Sequence, residues 1–249
     1  IAKTVEMLLL IGYTIKERPE FISFSVFKRI DWALFGRILK KGSLLIISQM
    51  MWVLSESFTA AIYNGRGNAA VVSGMAASFS IANLFFISFD GITTATGVLI
   101  GKSLGRNELD DARKEKTWML SAAIIFGCIM CLVGVVTVLL VPVVFGNLSI
   151  DAQNICRAML LLMALFMPLW TYVNTQLAVC RAGGDTKVGF FVDGGTTAVM
   201  IPMLLILAFF TNASPVMMYF GVKALDVGKI IVATHEMKKE RWVVNLSNG

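Results

Sequence analysis

The amino-acid sequence predicts an all-α, polytopic transmembrane helix bundle. Of its 249 residues, 57% are hydrophobic and only 15% are charged, and the mean hydropathy is +0.75. Soluble domains carry roughly a quarter charged residues. Long apolar stretches recur along the chain, most of them near the roughly 20 residues that a helix needs to cross the hydrocarbon core. We therefore do not expect a soluble enzyme, and the net charge of +6 does not require a nucleic-acid partner, because the basic residues flank apolar stretches.

The apolar stretches divide the chain into three predicted parts. Residues 1–41 are the end of a preceding helix and a basic cytoplasmic linker, residues 42–235 are a six-helix bundle, and residues 236–249 are a cytoplasmic tail. The first residue is Ile1 rather than Met, so we expect an N-terminal part to be missing. The six spans are predicted near residues 42–62, 70–100, 117–145, 155–180, 188–210 and 215–235.

Within the spans, three features call for local deviations from a straight helix. The stretch 70–100 is too long for one straight span, and Asp90-Gly91 marks a candidate kink. Pro142, Pro168 and Pro202 lie inside other spans, where proline is tolerated in lipid. Gly97, Gly101 and Gly105 line one helix face, which predicts close helix packing, with a hinge as the alternative.

The basic residues predict the orientation of the bundle. Seventeen of the 22 Lys and Arg residues lie in residues 12–41, 101–116, 181–187 and 236–249, whereas the opposite loops contain only Arg66 and Arg157. Cytoplasmic flanks are enriched in basic residues. Both chain ends are therefore predicted in the cytoplasm, which agrees with an even number of spans.

A polar turn separates the fourth and fifth spans, with the sequence Cys180-Arg181-Ala182-Gly183-Gly184-Asp185-Thr186-Lys187. Gly183 and Gly184 permit positive φ, and Asp185 and Thr186 are candidate caps for the following helix. Arg181 is expected to anchor a helix end and to pair with Asp185. An ordinary loop with a cap is an equally good interpretation of these residues.

Carboxylates inside the spans are the candidate functional residues, because charge within a membrane is costly. Glu56 shares a helix face with Gln49, Trp52, Thr59 and Tyr63, because these five residues succeed one another at spacings of three or four. Burial favours the protonated form of a carboxyl group. Such a group can bind and release H⁺ or, when ionised, ligate Na⁺ with neighbouring oxygens. A helix–helix hydrogen bond is the alternative.

Asp193 is the second candidate carboxylate and precedes Thr196 by one turn. Glu56 and Asp193 are predicted at different depths, so we expect two sites on one path. Asp90 is a candidate addition to the Glu56 site, and Asn174 is a candidate oxygen-bearing neighbour.

Other polar residues have simpler interpretations. Lys223, Asp226 and Lys229 are spaced by three, so we expect mutual neutralisation with the lysines extending toward the interface. Cys128 and Cys131 lie in a charge-free stretch and are expected to pack between helices, and no metal site is predicted.

The turn, followed by a helix carrying Asp193 and Pro202, resembles the MATE family of multidrug and toxic-compound extrusion antiporters. Two other segments agree with that family. The stretch Gly101-Lys102-Ser103-Leu104-Gly105-Arg106-Asn107 resembles a cytoplasmic loop, and residues 238–246 resemble the C-terminal end. The resemblance covers nearly the whole chain but only the second of the family's two six-helix halves. It implies cation-coupling roles for Glu56 and Asp193.

The resemblance implies a secondary antiporter of the bacterial inner membrane and not an enzyme. It would export an organic, cationic and amphipathic compound in exchange for H⁺ or Na⁺, without a cofactor. The expected partners are the lipid bilayer, the small organic substrate, and an N-terminal half or a second copy.

Two alternatives remain open. A lipid-linked precursor flippase of the same superfamily would need cationic side chains facing a cavity, for which Arg157, Lys223 and Lys229 are the candidates. A six-span half that does not transport, as a membrane scaffold or truncated product, is the other.

Overall fold

The computed structural model describes residues 2–17 and 31–244, and these residues form helices and short connections without strands. The helices are α1 (Ala2–Glu17), α2 (Trp32–Arg66), α3 (Ala69–Gly105), α4 (Leu109–Val144), α5 (Ile150–Ala182), α6 (Lys187–Phe210), α7 (Pro215–Ala224) and α8 (Asp226–Lys238). The chain divides into two compact units, Ile1–Gly42 and Ser43–Gly249. The first unit contains α1 and the first part of α2, and the candidate site lies in the second unit.

Five of the described helices are long and apolar enough to cross a membrane. They are Gly42–Arg66, Ala69–Gly105, Leu109–Val144, Ile150–Ala182 and Lys187–Phe210. These helices confirm the all-helical class and correspond to the first five predicted spans. Helix α3 remains helical through Asp90 and Gly91. The three prolines predicted within spans lie inside α4, α5 and α6.

The sixth predicted span, 215–235, differs from the expectation of one helix. Helices α7 and α8 meet at Leu225, and they have 10 and 13 residues, too few for either to span the membrane alone. Lys223 lies in the last turn of α7, and Asp226 lies in the first turn of α8. A cation at a helix C-terminus and an anion at an N-terminus both interact favourably with the helix dipole. Lys223 and Asp226 therefore stabilise the two helix ends at Leu225 and favour a break at this position.

The predicted basic linker is also shorter than expected from its composition. Helix α1 continues to Glu17, and α2 begins at Trp32, so both ends of the 12–41 segment are helical. Residues 18–30 and 245–249, which include Pro19 and the end of the predicted tail, lie outside the described residues.

Two buried clusters show how the helices alternate in direction. One cluster contains the ends of α3, α5 and α8 together with the beginnings of α4 and α6, as Leu104, Cys180, Met237, Ala112 and Val188 illustrate. The other contains the end of α2 and the beginnings of α3, α5 and α7, with the end of α6. Successive long helices therefore run in opposite directions. The basic segments 101–116 and 181–187 lie at the same end of the bundle as residues 239–244, which we call the C-terminal segment.

The outer surface of the bundle is apolar. Along α4, Leu132, Leu139 and Val143 are 68%, 73% and 81% exposed. Apolar side chains this exposed are favourable beside lipid tails and costly in water. An integral membrane protein follows from this surface together with the five long apolar helices.

Candidate functional site

Helix α2 presents a polar stripe to the interior of the second unit. Ser48, Ser55, Thr59 and Tyr63 are all buried, and their spacings of seven, four and four residues keep them on one face. Ser55 Oγ contacts Met200 Sδ at 3.7 Å, which places this face against α6. Glu56 follows Ser55 and therefore lies at the edge of the stripe, where its side chain is 29% exposed.

Glu56 forms an ion pair with Lys223 of α7. The Lys223 ammonium lies 2.7 Å from Glu56 Oε1, and the lysine side chain is only 13% exposed. The same ammonium lies 5.7 Å from the centre of the Trp170 ring and 5.5 Å from that of Tyr219. These distances fall within the range of cation–π attraction. One carboxylate and two aromatic rings therefore surround the lysine head group.

A second group of charges follows directly beyond Trp170. The indole Nε1 of Trp170 donates a 2.9 Å hydrogen bond to Asp226 Oδ2. Lys229 lies 3.2 Å from the other oxygen of Asp226 and 3.9 Å from Asp193 Oδ1. Asp226 is buried, and the side chains of Lys229 and Asp193 are 19% and 15% exposed. Lys229 thus connects a carboxylate of α8 to one of α6.

Asp193 connects these charges back to α2. The Ser48 hydroxyl donates a 2.9 Å hydrogen bond to Asp193 Oδ2. We call Glu56, Lys223, Asp226, Lys229 and Asp193 the charge network. When all its members are ionised, it carries three negative and two positive charges.

The structure therefore brings together the two carboxylates with predicted coupling roles, although they do not touch each other. They occupy separate positions, and the two lysines with Asp226 lie between them. The expectation that Lys223 and Lys229 extend toward the interface is wrong. Lys223 pairs with Glu56 of α2 and forms no ion pair with Asp226 among the described residues, because the break at Leu225 separates α7 from α8. Lys229 pairs with Asp226 as expected and also contacts Asp193.

Several predicted neighbours lie elsewhere. Gln49 and Trp52 are exposed, because each is rotated about 100° from its neighbour, the buried Ser48 or the partly buried Met51. Asp90 is exposed in α3 and makes no described side-chain contact with Glu56.

Other predicted neighbours bond to their own helices. Thr59 and Thr196 donate to the carbonyl oxygens of Ser55 and Val192. Asn174 Nδ2 donates to the carbonyl oxygen of Trp170.

Three side chains of the site were not predicted from the sequence. Ser48, Trp170 and Tyr219 gave no signal of their own, because serine and aromatic residues are common in apolar helices. The spacing of Lys223, Asp226 and Lys229 was a usable signal, since three charges in one predicted span require partners.

The predicted polar turn is also a docking point for the C-terminal segment. Helix α5 ends at Ala182, and Gly184 has a φ of 78°, which confirms a glycine-dependent turn. A Cβ atom at Gly183 would lie 1.8 Å from the Trp242 carbonyl oxygen, so only glycine permits this approach. Thr186 is the N-cap residue of α6 but makes no side-chain capping bond.

Arg181, near the end of α5, does not make the contact that was expected of it. Arg181 is exposed and forms no ion pair with Asp185 among the described residues. The guanidinium of Arg181 instead approaches Gly189, since a Cβ atom there would lie 3.7 Å from one of its nitrogens.

The C-terminal segment also contacts α4. Arg113 donates hydrogen bonds to Glu240 from Nε at 3.3 Å and from a terminal nitrogen at 2.9 Å. Lys116 lies 5.9 Å from the centre of the Trp242 ring, and Trp242 is buried. The segment therefore joins the beginning of α4 to the turn after α5.

Two other sequence features have no role in the site. Gly97, Gly101 and Gly105 have open space around them, so the predicted helix packing is absent within the described chain. Cys128 is exposed on α4 and Cys131 is partly exposed, and both are free thiols. Over residues 2–17 and 31–244, no cluster of three or more His, Cys, Asp or Glu residues has metal-binding geometry.

Long apolar helices around a buried, connected set of charges define a polytopic membrane protein of the transporter class. The sequence matches the MatE family over residues 45–207, so the chain belongs to that family and is a MATE-family transporter. Glu56 and Asp193 lie inside the matched region, whereas Lys223, Asp226 and Lys229 lie beyond it. Neither the curated proteins nor the solved structures contain a significant match.

Proposed function

We propose that this chain forms the ion-coupling half of a secondary antiporter that exports organic, cationic compounds in exchange for H⁺ or Na⁺. The observation that carries the proposal is the charge network between Glu56 and Asp193, whose two groups of charges are joined through Trp170. Membrane transport follows from the family, and the coupling mechanism is inferred from the charges.

The net charge of the network supports exchange of one positive charge. Three carboxylates and two ammonium groups leave one negative charge in excess when all are ionised. An uncompensated charge is costly in a poorly hydrated interior. One H⁺, one Na⁺ or one organic cation would each neutralise the network. Cations that compete for the same charge cannot both be bound, as coupled exchange of one for the other requires.

Asp193 is the carboxylate that we propose to accept the coupling ion. Its nearest cation, Lys229, lies 0.7 Å closer to Asp226, as the distances of 3.9 and 3.2 Å show. Glu56, by contrast, has Lys223 at hydrogen-bond distance. The Ser48 hydroxyl supplies an additional oxygen at 2.9 Å from Asp193.

The proposal also covers the orientation of the bundle and the place where the substrate binds. The basic end of the bundle faces the cytoplasm of a bacterial cell, and the organic substrate binds between this bundle and a second six-helix half or a second copy. Repeat-built transporters bind their substrates at such interfaces and alternate access by relative motion of the repeats. No prosthetic cofactor or catalytic group is proposed. A flippase is less favoured, because Lys223 and Lys229 are paired with carboxylates and do not present free cations to a cavity.

The proposal is tested by transport in proteoliposomes that contain the chain with its second half. Efflux of a fluorescent organic cation should require an imposed H⁺ or Na⁺ gradient in the wild-type protein. Glu56→Gln and Asp193→Asn should each abolish gradient-driven efflux, whereas Asp151→Asn, at an exposed site in the first turn of α5, should retain it. Normal coupling in both network variants would refute these assignments.

A further inference from the structure

A pocket of about 240 Å³ lies between the end of α3 and the beginning of α4, and it shares no residue with the charge network. Helix α3 contributes Leu99, Lys102, Ser103 and Arg106 to its lining. Spacings of three, one and three residues place these four side chains on one helix face. The two basic residues are therefore one helical turn apart and line the same pocket, which we call the α3–α4 pocket.

The second wall of the α3–α4 pocket is one face of α4. It consists of Asp111, Lys114, Glu115 and Trp118, which repeat the spacing found on α3. The two walls are joined by the buried Ser103, whose hydroxyl donates a 2.7 Å hydrogen bond to Glu115 Oε2. This bond fixes one wall of the pocket relative to the other.

The turn between α3 and α4 holds the same geometry from the other side. Asn107 has a φ of 62°, a left-handed conformation that asparagine adopts more readily than most residues. The backbone amides of Asn107 and Glu108 donate to the carbonyl oxygens of Leu104 and Ser103 at 3.1 and 2.9 Å. The α3–α4 pocket is thus preformed, and a preformed site loses less entropy when it binds a ligand.

The α3–α4 pocket lies where the apolar outer surface meets charged residues. Leu99 and Trp118 are 43% and 69% exposed, and Lys102 and Arg106 are exposed on the next turns of α3. Exposed tryptophan is enriched at the boundary between the hydrocarbon core and the headgroups. A ligand that fills this pocket would contact apolar and charged side chains together, as a phospholipid can and a free phosphate compound cannot.

The charges of the α3–α4 pocket are balanced but only partly paired. Three basic and three acidic side chains line it, so the lining has no net charge when all six are ionised. Lys114 binds Asp111 at 2.9 Å. The exposed side chains of Lys102, Arg106 and Glu108 form no ion pair or hydrogen bond with another residue in 2–17 or 31–244. Two cations and a carboxylate are therefore available to a ligand.

The available groups match a zwitterionic headgroup. Lysine and arginine bind phosphate, and the arginine fork can donate to two phosphate oxygens at once. A primary ammonium group has three N–H donors for a carboxylate such as that of Glu108. Phosphatidylethanolamine carries both groups, and its acyl chains would lie beside Leu99 and Trp118. Phosphatidylglycerol offers no cation to Glu108, and phosphatidylcholine offers a cation without an N–H donor.

We infer that the α3–α4 pocket binds the headgroup of phosphatidylethanolamine, with the phosphate on Lys102 and Arg106 and the ammonium on Glu108. The inference does not depend on antiport, because it requires only that the chain lies in a membrane. A lipid in this pocket would join α3 to α4 at the basic end of the bundle.

Lipid binding to the purified protein in detergent tests this inference. Native mass spectrometry measures the fraction of protein with one bound lipid as the concentration of each dioleoyl lipid is raised, so the acyl chains are identical. We expect phosphatidylethanolamine to bind about 10-fold more tightly than phosphatidylcholine, because only its ammonium donates hydrogen bonds to the carboxylate. Phosphatidylglycerol should also bind more weakly than phosphatidylethanolamine.

Variants of the two groups that bind the lipid should have different effects. Glu108→Gln should remove the preference for phosphatidylethanolamine and leave the affinity for phosphatidylcholine unchanged. Lys102→Ala with Arg106→Ala should weaken both lipids about 10-fold, because both lose their phosphate contacts. Lys187→Ala is the matched control, since it removes an exposed lysine at the same end of the bundle but outside the pocket. All four positions are exposed, so none of these changes disturbs the core.

Three results would overturn the inference. Equal affinities of the wild-type protein for phosphatidylethanolamine and phosphatidylcholine would mean that the ammonium is not recognised. Tightest binding of phosphatidylglycerol would indicate an anion site. A loss in Lys187→Ala equal to that in Lys102→Ala with Arg106→Ala would indicate a general effect of surface charge.

A soluble competitor distinguishes a lipid from a small zwitterion as the ligand. Glycerophosphoethanolamine has the same headgroup without acyl chains, and it should compete at least about 10-fold more weakly than the lipid, because it makes no contact with Leu99 and Trp118. Competition as strong as that of the lipid would overturn the assignment of a lipid to the pocket. None of these measurements involves transport, so their failure leaves the proposed antiport standing.

Discussion

Lys223 and Glu56 are 167 residues apart in sequence, and they form a 2.7 Å ion pair that joins α7 to α2. Three other side chains of α2 bind α6: Ser48 at Asp193, Ser55 at Met200, and Arg66 at the carbonyl oxygens of Leu207 and Thr211. These polar contacts of α2 stand beside an apolar one, since Tyr63 lies in the second buried cluster. Polar contacts of this kind can be exchanged during a transport cycle without exposing apolar surface to water.

The first prediction concerns the stability of this pair. Glu56→Gln should lower the free energy of unfolding by about 2 kcal/mol, less than the roughly 3–5 kcal/mol for a fully buried pair, because both side chains are partly exposed. Lys223→Met should have a similar cost, and the double variant should be more stable than the sum of the two predicts. Thermal unfolding in detergent measures all three. Additive losses would show that the pair makes no coupled contribution.

The second prediction concerns Ser48. Ser48→Ala removes a hydrogen bond to the ionised form of Asp193, and such bonds to charged groups contribute about 1.5–3 kcal/mol. We expect Ser48→Ala to lower the free energy of unfolding by about 1.5 kcal/mol and gradient-driven transport about 10-fold. Ser48→Thr retains the hydroxyl and should restore most of the rate. Equal losses in both variants would point to packing instead of the hydrogen bond.

The fold was largely predictable because apolar length is a strong signal in a membrane protein. Each stretch that lacked charges over about 20 residues became a long helix, as residues 158–180 did within α5. The span 215–235 was the exception, since its three charges permitted a helix break that hydropathy alone does not locate. The start of α2 at Trp32 depends on local hydrogen bonds, because the backbone amides of Ala33 and Phe35 donate to oxygens of Asp31.

The candidate site was predictable only in part. Glu56 and Asp193 could be identified because a carboxylate in an apolar helix is rare. Their partners could not be identified, because the face of α2 that is buried depends on where α6 and α7 pack. A rotation of 100° distinguishes Ser48 from Gln49, and helical spacing alone permits either.

The third prediction separates two roles of Trp170. Trp170→Phe keeps an aromatic ring near Lys223 but removes the hydrogen bond to Asp226, so we expect a loss of about 1.5 kcal/mol in stability. Trp170→Leu removes the ring as well and should cost at least a further 1 kcal/mol. Thermal unfolding of both variants provides the comparison. Identical Tm values for the two would exclude a contribution from the ring.

The fourth prediction concerns pH and the C-terminal segment. The hydrogen bond from Arg113 lowers the pKa of Glu240 below its ordinary value of 4.5. Because the folded-state pKa is lowered, the stabilising contribution is present above pH 4.5 and is lost as the pH falls through the folded-state pKa. Limited proteolysis of the C-terminal segment should accelerate in this range. Glu240→Gln should be cleaved at a rate independent of this titration, and a pH response equal to wild type would exclude Glu240 as its source.

The last prediction tests the docking of the C-terminal segment on the turn after α5. Gly183 has a φ of −85°, so alanine is not strained there by its backbone, and any cost arises from the 1.8 Å approach to the Trp242 carbonyl oxygen. We expect Gly183→Ala to lower stability by about 2–3 kcal/mol, because Trp242 must move out of a tightly packed position. Gly97→Ala is the matched control, since a Cβ atom there meets open space within a helix and should stabilise by up to about 1 kcal/mol. Thermal unfolding of both variants distinguishes the two. Equal stability of both alanine variants would mean that the segment leaves the turn without cost and does not fasten α4 to α5.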